Sequence, residues 1–114
     1  MELSNLEKMV LEALIKGDPE EDTIRQQLTG ATVMDREYTG VGLYTNIEVP
    51  ENKPLLSKSN RYIEETPKIH LEHPELEAGA GILLWFKDGK VSTLECYTYD
   101  GEWPKNEAFF TVST

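Results

Sequence analysis

The sequence predicts one α+β domain: an N-terminal helical hairpin packed on a curled antiparallel sheet of about five or six strands. Three observations carry this. Apolar residues recur with helical spacing up to residue 29, alternate with period two after residue 32, and flank Asp88-Gly89 as a tight hairpin. A chain of 114 residues suits a single domain, 1–114, with one modest core.

Ser4-Asn5-Leu6-Glu7 reads as a capping box, with Ser4 accepting from the amide three residues on and Glu7 reaching back. Leu6, Met9, Val10, Ala13 and Leu14 then form one apolar stripe, and Gly17 suits the left-handed position after the helix. Asp18-Pro19-Glu20-Glu21 starts a second helix, with Asp18 as its cap, Ile24 and Leu28 facing inward and Gly30 ending it. The acidic run 18–22 is thereby read as helix-start chemistry and not as a metal site.

Thr32 to Tyr38 is expected to be a weaker strand that turns at Thr39-Gly40. Val41, Leu43, Thr45, Ile47 and Val49 alternate with Gly42, Tyr44, Asn46 and Glu48, as a half-buried strand does. Residues 50–67, rich in Pro, Ser and Asn, read as a long surface loop. Lys68 to Glu72 is a short strand with Ile69 and Leu71 on one side. His73-Pro74-Glu75 opens a turn ending near Gly79, where Gly79-Ala80-Gly81 marks a bulge or a close backbone approach. Ala108 to Ser113 supplies the last strand.

The Asp88-Gly89 turn sets a register in which Phe86 faces Val91, Leu84 faces Thr93 and Ile82 faces Glu95. On the other face Trp85 meets Ser92, Leu83 meets Leu94 and Gly81 meets Cys96. Both faces are apolar, so the hairpin should be covered on part of both sides. Glu95 then lies among Ile82, Leu84, Phe86, Tyr97 and Tyr99, and an ionised carboxylate there needs donors. Such a glutamate is either a structural group bonded to nearby donors or a site with a raised pKa. Asp100 reads first as a turn former and Trp103-Pro104 as the closure of the core.

The formal charge is −10, from 21 acidic and 11 basic side chains. That field disfavours nucleic acid and anionic membranes and favours a basic protein or simply solubility. The one cysteine, Cys96, allows no internal disulfide and reads as buried and inert. His70 and His73 with Glu72 and Glu75 lack a zinc spacing, and no nucleotide or nucleophile motif occurs, so no metal and no cofactor is expected. The N-terminus lacks a secretory pattern and no apolar run approaches a membrane span, so a cytoplasmic protein is expected.

The blocks "GVGLYTNIEVP" and "GAGILLWFKDGKVSTLECYTYDGEWP" resemble a family of small uncharacterised bacterial proteins with the pattern G-x-G, D-G, L-E-x-Y-x-Y-D, W-P. The resemblance spans residues 40–50 and 79–104. It implies the α+β fold and that Glu95, Tyr97, Tyr99, Asp100 and Trp103 work together; it brings no activity.

The function expected is a non-catalytic binding protein, one version being an immunity-type inhibitor of a basic partner. The alternative is a ligand pocket or enzyme around Glu95 with Tyr44, Tyr97 and Tyr99. A homo-oligomer using an apolar sheet face is a third reading. Charge, size and the missing catalytic motifs place the first ahead. A type I′ turn requires positive φ at both central residues. Gly89→Val should therefore cost about 1–3 kcal/mol, read as a lowered melting temperature.

Overall fold

A computed structural model describes residues 1–64 and 69–113. Two helices, α1 (Asn5–Ile15) and α2 (Glu21–Leu28), precede strands β1 (Thr32–Tyr38), β2 (Gly42–Glu48), β3 (Arg61–Glu64), β4 (His70–His73), β5 (Leu76–Lys87), β6 (Lys90–Thr98) and β7 (Thr111–Ser113). The fold is α+β. All strand pairs are antiparallel, in the order β1-β2-β6-β5-β4-β7, with β3 also pairing with β5. The sheet therefore has seven strands, because residues 61–64 form a strand where a loop was expected. The rest of that loop, 65–67, and Lys68 of the expected 68–72 strand lie outside the described residues.

The capping box is present, with Ser4 Oγ accepting from Glu7 N at 3.1 Å and Ser4 N donating to Glu7 Oε1 at 2.8 Å. The buried stripe of α1 is rotated from the expected one: Leu6, Val10 and Leu14 are joined by Glu7, Leu11 and Ile15, while Met9 and Ala13 are partly buried. The rotation follows from Glu7, which is 2% exposed and fully partnered. Its carboxylate accepts from Arg36 Nε and Nη2, both at 2.7 Å, and from Thr45 Oγ1 at 2.7 Å. Arg36 and Thr45 face each other across β1 and β2.

Asp18 is not the cap of α2. The helix starts three residues later, and Asp18 accepts from Glu20 N and binds Arg61 of β3 at 2.6 Å. Glu20 accepts from both the amide and the hydroxyl of Ser57. Much of the acidic run thus ties the 50–64 segment to the helices. Within that segment Leu56 is buried, and its N–H donates to Gly89 O at 2.9 Å. Gln27, 0% exposed, is buried along with Ile24 in α2, while Leu28 is only partly buried. The Gln27 side-chain N–H2 donates to Pro54 O and Gly89 O, and its Oε1 accepts from Val91 N at 2.9 Å.

The hairpin turn carries positive φ at Asp88 and Gly89, as its residues require. The register does not continue as expected. A bulge between Trp85 and Phe86 shifts β6 by one residue, so Trp85 pairs with Thr93, Leu84 with Leu94, Leu83 with Glu95 and Ile82 with Cys96. Val91, Leu94 and Cys96 thereby share the inner face with Ile82, Leu84 and Phe86, all buried. A one-residue shift moves a strand's side chains to the opposite face. Glu95 and Tyr97 accordingly leave the core. The outer face is not covered: Tyr62, Trp85 and Tyr99 are 54%, 40% and 48% exposed.

Pro74 and Glu75 alone make the β4–β5 turn, because β5 already begins at Leu76 and runs through Gly79. At Gly79, where φ is +77°, a Cβ would collide with the Leu71 carbonyl and the His70 ring. Val41, expected inside the strand, lies just before β2 and is exposed. The expected 108–113 strand begins instead with a 3-10 turn, Glu107–Phe109, ahead of β7.

Burial pushes the Glu7 carboxyl upward in pKa, but Arg36, Ser4 and Thr45 outweigh it, and the net shift is below the ordinary 4.5. The folded chain then holds this proton less tightly than the unfolded chain. The resulting stability is present in full above pH 4.5 and is lost as pH falls through the lower folded value. Arg36→Met should cost about 3 kcal/mol at neutral pH, since it strands a buried carboxylate. It should also flatten the acid limb of a stability–pH profile.

Candidate functional site

The bulge assembles the candidate site on the open outer face. Tyr44 of β2, Glu95 of β6 and Leu83 of β5 form one cross-strand row. Asn46, Thr93, Trp85 and Tyr62 form the next row. Alternation explains the selection, because each inward residue of these strands leaves its neighbours pointing out.

Glu95 is half-buried and accepts from Trp85 Nε1 at 3.2 Å. Tyr44 lies directly opposite it across β2 and β6. The neighbouring Glu95 carboxylate is the main reason the Tyr44 pKa is raised, with burial adding to it. Tyr62 packs on Trp85 with ring centroids 5.5 Å apart at 44°. Tyr97 meets Tyr99 edge-on at 5.6 Å, and Tyr99 stacks on His70 at 6.0 Å. Beside them Thr93 Oγ1 donates to Asn46 Oδ1 at 2.9 Å, and Asn46 Nδ2 to Asp35 Oδ1 at 2.7 Å. The face thus presents aromatic rings around an oriented carboxylate.

Of the expected site residues, Glu95, Tyr44, Tyr97 and Tyr99 share this face. Asp100 lies in the turn after β6, where its carboxylate accepts from Ala78 N at 2.9 Å and Glu77 N at 3.3 Å. Trp103 is buried at the end of the core, stacked on Phe110 at 4.8 Å with its indole N–H donating to Glu107 at 2.8 Å. Trp85 and Tyr62 belong to the platform and were not expected there. Trp85 was matched to Ser92 by the unbulged register, and Tyr62 fell in the supposed loop. The spacing Val91-x-x-Leu94-x-Cys96 was the signal, since an inward pair three residues apart in a strand implies a bulge.

Among the described residues, five of the surface clefts flank the helices, turns and sheet ends, and Glu95 lines none of these five. One, of about 510 Å³, is lined by His70, Glu72, His73 and Phe109. In it His73 is fixed as the Nε2–H tautomer: Nδ1 accepts from Glu75 N at 3.0 Å, so Nε2 donates to Asn106 O at 2.9 Å. Among the described residues no three His, Cys, Asp or Glu side chains converge as a metal site, and no helix is long and apolar enough to cross a membrane. Cys96 is buried on the face opposite Glu95.

No family model, curated protein or solved structure matches the chain.

Because water reaches Glu95 and its donor, the substitution penalty is smaller than for the buried carboxylate expected from sequence. Glu95→Gln and Glu95→Ala should each change unfolding free energy by less than about 1 kcal/mol in denaturant titration.

Proposed function

We propose that the chain is a non-catalytic binding protein whose outer sheet face docks a basic protein. The supporting observation is the exposed platform of Tyr62, Trp85 and Tyr99 around Glu95, on a chain of charge −10. Tyrosine and tryptophan are the residues that anchor protein interfaces. Asp35, Glu37, Glu48 and Glu72 occupy outward positions on the same sheet and are exposed. The described bases at outward positions of these central strands, Lys87 and Lys90, sit together beside the hairpin turn.

The two helices, taken as a hairpin clamped by Arg25 on Glu12 at 2.6 Å, cover the inner face and leave the outer one for the partner. An immunity-type inhibitor acting in the cytoplasm is the concrete form of this reading, supported by the charge and size of the chain. The open geometry around Glu95 favours it over a ligand pocket.

Affinity capture with the wild-type chain and with Trp85→Ala tests the reading. A basic protein should be retained by the wild type and lost by the variant. Its affinity should fall about tenfold or more between about 50 mM and about 300 mM salt. A partner held equally by both chains, or insensitive to salt, would overturn it. So would a wild-type dimer in light scattering that Trp85→Arg dissociates, because a second copy would then cover the face.

A further inference from the structure

We propose that the outer face recognises an arginine side chain of its partner, stacked on Trp85 and Tyr62 and forked onto Glu95; this rests on the binding reading above. The Glu95 carboxylate has about four acceptor positions. The Trp85 indole uses one of them and fixes its orientation, with Tyr44 directly opposite in the neighbouring strand. No Lys or Arg among the described residues makes an ion pair with it. Among the described residues this carboxylate thus sits beside Leu83 and exposed rings with no cation paired to it, a setting that favours one.

The chain's own arginines are committed elsewhere. There are three: Arg25 binds Glu12 and Glu21, Arg36 binds Glu7, and Arg61 binds Asp18 and Glu20. The last of these shows the same chemistry within the molecule. The Arg61 guanidinium lies 5.4 Å from the Phe86 ring centre while it grips Asp18 at 2.6 Å. Trp85 and Glu95 offer a similar pairing of ring and carboxylate, now facing outward. A planar guanidinium can stack on an indole and fork onto a carboxylate at once, whereas an ammonium is a hydrated point charge. The site should therefore prefer arginine to lysine.

The test titrates the full chain with two acetylated peptides of equal charge, one with arginines spaced by glycine and one with lysines. The Trp85 indole resonance is followed by NMR and assigned by its loss in Trp85→Phe. The arginine peptide should bind about three- to tenfold more tightly than the lysine peptide. Glu95→Gln should weaken it about tenfold. Asp22→Asn, an exposed acid on α2, should leave it unchanged. Melting curves on each variant confirm folding. Outer-face shifts of equal strength for both peptides, or an arginine preference that survives Glu95→Gln, would overturn the arginine site and leave the docking face standing. Shifts confined to the helices and their acidic turn would overturn both.

Discussion

One extra residue in β6 decides what this molecule shows to solvent. The bulge beyond Val91 brings Val91, Leu94 and Cys96 onto a single face, where they complete a core with Ile82, Leu84 and Phe86. Without it, either Val91 or the Leu94–Cys96 pair would face water, and burying such side chains is worth about 1.5–3 kcal/mol each. Gln27 takes up backbone groups next to the irregularity. Its buried amide meets Val91 N, Gly89 O and Pro54 O, which joins α2, the hairpin turn and the 50–60 segment at one point. An apolar residue there would leave these groups unpaired, and buried unpaired groups are costly.

The same molecule handles its acids in two opposite ways. Glu7 is drawn inside because a cap, an arginine and a threonine meet it from α1, β1 and β2. This network fixes how the first helix sits on the sheet, since each partner comes from a different element. Asp18, Glu20 and Glu21 are likewise held by Arg61, Ser57 and Arg25. Among the described residues Glu95 receives one neutral donor, the Trp85 indole, and no cation. Internal pairing thus consumes the arginines and leaves the outer face acidic and aromatic, a composition suited to a cationic surface.

Local chemistry made much of the fold legible in advance. The capping box, the glycine after α1, the alternation of β2 and the positive-φ turn at Asp88-Gly89 each depend on a few adjacent residues. Residues far apart decided the rest. Arg61 to Glu64 carries no strong strand pattern, and it forms β3 because the free edge of β5 lies beside it and Asp18 holds Arg61. Asp18 has the composition of a cap, yet that arginine recruits it instead.

The sequence by itself determined the class of the fold, the inward residues of most elements and the acidic charge, because periodicity and composition are local properties. It also picked out Glu95 and its tyrosines as unusual. Only the tertiary structure decided which side of the sheet they occupy. Turn geometry fixes register only until an irregularity intervenes, and that irregularity is stabilised by a glutamine more than sixty residues away.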